Sequence, residues 1–118
     1  RLEAFANIHL LPPLDYPNLV YLQKHAKLIL TDSGGIQEEA PSFACPTLVM
    51  RYETERKEGI EAGVSKLVGA DYDKILKESE KILTSSKAET RLKAQNPYGD
   101  GTASKQIEGI IRKCLLNA

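Results

Sequence analysis

Four short apolar runs, at residues 7–11, 28–31, 47–50 and 64–68, recur along this 118-residue chain, and a stretch of helical character separates most neighbours. Strand-length runs that alternate with helices leave few architectures open. The strands must lie mostly parallel, and helices must cover both faces of their sheet. The expected fold is therefore α/β and Rossmann-like, with about four parallel strands.

Punctuation between the runs supports this. Pro12-Pro13 stops the first run, and Asp15 or Tyr16 is placed to cap a helix with Pro17 in its first turn. Leu19, Leu22, Gln23 and Ala26 repeat at helical spacing, so that helix runs to about His25. The helix expected over 36–43 contains Pro41, which removes a backbone donor and should bend or shorten it. A single helical turn over 58–62 ends at Gly63. Asp71 caps a helix over 72–83, with Ile75, Leu76, Ser79, Ile82 and Leu83 as its inner stripe and a Lys74–Glu78 pair on its wet side. A further helix is expected over 87–94. Thr102 caps the last one, in which Ile107, Ile110, Ile111, Cys114 and Leu115 form a core face.

Sixteen Lys and Arg cancel sixteen Asp and Glu. A neutral chain has no general attraction for nucleic acid or an anionic membrane. With 42% hydrophobic residues the chain can build a core, and no stretch approaches the ~18 apolar residues of a membrane span. Cys45 and Cys114 make no disulfide framework and read as two small buried thiols. With no signal-peptide pattern, a cytoplasmic location is the expectation. The chain starts at Arg1 rather than Met, as a piece of a longer protein would.

The chemistry concentrates at Thr31-Asp32-Ser33-Gly34-Gly35-Ile36-Gln37-Glu38-Glu39, where a parallel strand hands over to a helix. Open α/β sheets bind ligands beyond the carboxyl ends of their strands. Gly34 and Gly35 allow close backbone approach, Ser33 offers a hydroxyl, and the helix start presents free amides, which together suit a phosphate or pyrophosphate. The plain alternative is that Ser33 only caps the helix and the glycines only turn the chain. Glu38 and Glu39 point about 100° apart, so one of them can meet a ligand while the other faces solvent or a neighbouring loop. Arg56, after the next strand, falls on the same edge and could clamp phosphate oxygens, or be part of a solvated charge run. Arg51 could pair with a carboxylate to order that loop. Asn96-Pro97-Tyr98-Gly99-Asp100-Gly101 is either a rigid helix connection or a ligand contact. His9 and His25 show no metal-ligand spacing with the cysteines, and no metal or cofactor is expected.

The run from Asp32 to Ser42, with Pro13-Leu14-Asp15-Tyr16, Thr54-Glu55-Arg56, Glu61-Ala62-Gly63, Leu67-Val68-Gly69 and the Asn96–Gly101 loop, resembles the C-terminal domain of non-hydrolysing UDP-N-acetylglucosamine 2-epimerases. These blocks follow the family's order and span nearly the whole chain. The resemblance implies that residues 1–118 are the UDP-binding C-terminal half of a GT-B-like two-domain isomerase. It implies a diphosphate site at Ser33, Gly34 and Gly35, and a ribose carboxylate at Glu39. It places a catalytic and substrate-binding arginine at Arg56, and a uracil wall around Leu14 with Leu19 beside the base. Lys57 stands where a proline commonly follows Thr-Glu-Arg, which loosens the loop without removing Arg56. The implied reaction interconverts UDP-GlcNAc and UDP-ManNAc, for polysaccharide biosynthesis. The implied partners are a UDP-sugar, a missing N-terminal catalytic domain and a second copy in a homodimer. The donor-binding domain of a GT-B glycosyltransferase and a non-catalytic UDP-sugar-binding module are the alternative readings.

Overall fold

The computed structural model describes residues 2–85 and 96–117. Its centre is a parallel sheet of three strands in the order β1 (Ile29–Thr31), β2 (Thr47–Val49), β3 (Ser65–Leu67). Ile29 pairs with Thr47 and Thr47 with Ser65, so the three carboxyl ends lie level along one edge. Every residue of β2 is buried, as a central strand between two neighbours requires. Leu48, Val49, Val64 and Val68 form the core with Ala40 and Cys45.

Helix α1 (Tyr16–His25) begins at Asp15, whose Oδ1 accepts from the Asn18 amide at 3.0 Å, with Pro17 in the first turn. Helix α2 (Gly34–Glu39) follows β1 and is only six residues long. Pro41 accounts for that. With no N–H to donate, it sits in the first turn of a 3-10 segment, Ala40–Phe43, that continues α2. Helix α3 (Lys57–Glu61) joins β2 to β3. Helix α4 (Tyr72–Thr84) is capped by Asp71, which accepts from the Lys74 amide at 3.0 Å, and packs against β2. Helix α5 (Ala103–Leu116) ends the described chain. Among the described residues no helix is long and apolar enough to cross a membrane.

Five expectations are corrected. The first apolar run forms no strand: residues 8–15 have no regular structure, and Leu10 and Leu11 are exposed. An apolar run becomes a strand only where a sheet edge pairs with it, so the described sheet has three strands rather than four. The stripe of α5 is not buried. Ile107, Ile110, Ile111 and Leu115 are 52–72% exposed, because amphipathic spacing specifies a face and not the surface that covers it. Cys114 on the same helix is exposed, whereas Cys45 is buried, and burial pushes its thiol pKa up. Glu78 pairs with Lys66 at 2.7 Å rather than with Lys74. The Thr102 hydroxyl does not cap α5: it binds Asp100 and accepts from Gln106. The helix expected over 87–94 lies outside the described residues.

Candidate functional site

The site is built on the carboxyl edge of the sheet. Chain leaving β1 turns at Asp32-Ser33, and the Ser33 amide donates to Thr31 Oγ1 at 3.0 Å. Ser33 Oγ accepts from the Ile36 amide, so the serine caps α2, and its own hydroxyl hydrogen stays available. Neither Gly34 nor Gly35 has a positive φ, so the turn does not use their conformational freedom. What Gly34 supplies is space. A Cβ there would stand 2.6 Å from Cζ of Arg56 and 2.7 Å from its Nη2. The guanidinium, 22 positions along the chain from Gly34 and beyond β2, thus rests directly on the strand-to-helix turn. Gly35 has no comparable neighbour; a Cβ there would come no nearer than 3.9 Å, to Ser33 Oγ.

Arg56 is held from two sides. Its Nε donates to Glu38 at 2.9 Å and its Nη1 to Glu55 at 3.0 Å. These hydrogen bonds, that to Glu38 first, push the arginine pKa further up. Glu55 is held below the ordinary carboxylate value by its own backbone amide and by Arg56. Arg51 lies 3.7 Å from Glu55 and helps to order the loop, as its sequence position suggests.

The backbone of Arg56 is fixed as well. Its amide donates to Thr54 Oγ1 at 3.1 Å, and that hydroxyl donates to Gln37 Oε1 at 2.8 Å in the buried interior. Its carbonyl accepts from the Tyr98 hydroxyl at 3.0 Å, which in turn accepts from the Gly59 amide at 2.9 Å. Gly59 permits this, since a Cβ there would meet the Tyr98 oxygen at 2.6 Å. Burial raises the Tyr98 pKa, and the Gly59 amide partly offsets it. Asn96 completes the fastening: its Nδ2 reaches the Glu38 carbonyl at 3.1 Å and Ser42 Oγ at 2.7 Å. The 96–101 loop thus ties α2 to α3.

Glu39 diverges from Glu38, as adjacent helical residues must. It is half-buried, and one carboxylate oxygen accepts from Gln23 Nε2 at 2.8 Å. Leu19 lines a hollow of about 250 Å³ with Leu22, Gln23, Ala26, Leu30 and Ile36. Leu14 is 37% exposed on the irregular segment leading into α1. His25 is occupied by a 2.7 Å contact with the Tyr21 carbonyl and by packing on the Tyr21 ring. Among the described residues no three His, Cys, Asp or Glu side chains group as a metal site.

Residues 1–112 match the family model for UDP-N-acetylglucosamine 2-epimerase. The chain belongs to this family. It is 51% identical, over 92% of its length, to the UDP-N-acetylglucosamine 2-epimerase of Campylobacter jejuni. The crystal structure of the Neisseria meningitidis UDP-GlcNAc 2-epimerase bound to UDP-GlcNAc superposes with a TM-score of 0.82 at 42% identity, covering 99% of the chain. The S. aureus MnaA–UDP structure gives 0.86 at 42%, covering 97%. The chain spans only 28–31% of the length of these three epimerase-family chains.

Sequence reasoning assigned no role to three side chains that support this candidate site. Gln23 was visible as a polar side chain on the repeating face of α1. Gln37 and Thr54 are buried polar residues whose pairing across 17 positions has no local signature. That Glu38 is the one facing a neighbouring loop, where it meets Arg56, needed the loop's path.

Proposed function

We propose that residues 1–118 form the UDP-binding C-terminal half of a GT-B-like, non-hydrolysing UDP-GlcNAc 2-epimerase. The observation that carries the reading is the Arg56 guanidinium seated on Gly34, at the carboxyl edge of a parallel sheet, in a chain of this family. The relatives solved with UDP-GlcNAc and with UDP support the ligand class.

In this reading Ser33, Gly34 and Gly35 take the diphosphate through a hydroxyl and the amides at the start of α2, which have no partner within the helix. Arg56 adds its charge beside them. Glu39 accepts from the ribose hydroxyls. The segment at Leu14 and the side chain of Leu19 receive uracil. The reaction is an anti elimination: a base takes the sugar C2 proton, the C1–O bond breaks, and UDP leaves with the bonding pair. Re-addition of UDP and a proton to the resulting 2-acetamidoglucal gives the other epimer. Negative charge grows on the diphosphate as C1–O breaks, so donors aimed there act more strongly in the transition state than in the ground state. Arg56 is the catalytic group of this half for that reason.

The acid and base that handle the C2 proton lie mostly in an N-terminal domain, and the intact protein is a homodimer. Two unpaired cysteines support a reducing, cytoplasmic setting. The intact protein should interconvert UDP-GlcNAc and UDP-ManNAc, followed by NMR of the sugar C2 proton. Residues 1–118 alone should not. Turnover by the isolated segment, or none by the intact protein, contradicts the proposal.

A further inference from the structure

Gln23 is 4% exposed, yet it is an amide on the inner side of α1 among Leu19, Leu22 and Ala26. Its Nε2 crosses to α2 and donates to Glu39 Oε2 at 2.8 Å. A carboxylate only accepts, so the amide orientation is set by chemistry: nitrogen faces Glu39 and oxygen faces away. The oxygen, Gln23 Oε1, is buried with no partner among the described residues. An apolar side chain of similar volume would pack there without stranding a polar atom. Burying the amide with its oxygen unpaired costs stability, and among the described residues the one hydrogen bond the side chain makes is to Glu39.

We infer that Gln23 is a positioning residue that aims the Glu39 carboxylate at the ribose of the bound nucleotide. This rests on Glu39 being the ribose carboxylate. A glutamate rotates about three side-chain bonds, and ordering it on binding opposes affinity. With Oε2 held by Gln23, the carboxylate is ordered before ligand arrives and Oε1 stays open to hydroxyl donors. Gln23 touches no ligand; it acts through Glu39.

The experiment compares UDP with 2′,3′-dideoxy-UDP, titrated by calorimetry into the intact protein as wild type, Gln23→Leu, Gln23→Met and Glu39→Ala. Leu and Met both retain the apolar packing, and two variants guard against one that folds poorly. The wild type should prefer UDP by about tenfold or more, as expected for hydrogen bonds to a charged acceptor. Both Gln23 variants should lose most of that preference while binding the dideoxy nucleotide as the wild type does. Glu39→Ala should erase it. A general structural defect would weaken both nucleotides alike and leave their ratio unchanged. An unchanged ratio in both Gln23 variants, with the ratio lost in Glu39→Ala, overturns the role of Gln23 and leaves the ribose carboxylate standing. An unchanged ratio in Glu39→Ala overturns both.

Discussion

A Cβ on Gly34 would stand 2.6 Å from the guanidinium carbon of Arg56, so the two residues share a contact that only glycine allows. Gly34→Ala separates binding from folding. Alanine is the better helix former, and the atom it displaces is the end of a flexible side chain. Stability in urea should change little, within about 1 kcal/mol. UDP affinity should fall by about tenfold as Arg56 is pushed off the turn, on the scale of one charge-assisted hydrogen bond. Urea denaturation checks the first effect and calorimetry with UDP the second, and a fully retained affinity would show that Arg56 need not rest there.

Glu55 competes for the same guanidinium. It is an exposed acid, 3.0 Å from Nη1, and a diphosphate must displace it or tolerate its charge. Glu55→Gln should tighten UDP binding by roughly two- to threefold at low salt, with the gain shrinking as salt screens the charge. A loss of affinity would mean that Glu55 orients Arg56 more than it opposes the ligand.

Tyr98 carries two hydrogen bonds on one oxygen, to the Arg56 carbonyl and the Gly59 amide. Tyr98→Phe keeps the ring and removes both. Denaturation should show a loss of about 1–3 kcal/mol, and UDP affinity should fall severalfold as the α3 end of the site loosens. Unchanged affinity would confine the loop to a role in stability.

Much of this fold is legible in local chemistry. Asp71 announces its helix through a cap that forms as expected, Asp15 is the one of the two candidates, Asp15 and Tyr16, that caps α1, and Pro41 shortens α2 as a missing donor requires. The edge location of Ser33, Gly34 and Arg56 follows from parallel strands alone. What could not be read depends on surfaces and long-range partners. The 7–11 run has strand composition and no edge to join. Ile107 and Ile111 have core spacing and are exposed in this chain. Glu78 finds Lys66 because β3 brings it there, not because of any spacing on α4. The joins through Gln37, Thr54, Asn96 and Tyr98 link residues 17–58 positions apart, where no periodic pattern reaches.

The central claim is that the Gly34 turn and Arg56 together hold a diphosphate. Titration of UDP and uridine into the wild type and Arg56→Ala tests it most directly. UDP should bind the wild type at least about tenfold more tightly than uridine does, and Arg56→Ala should remove most of that advantage while leaving uridine unaffected. Equal affinity for the two ligands, or an advantage that survives in Arg56→Ala, contradicts the claim.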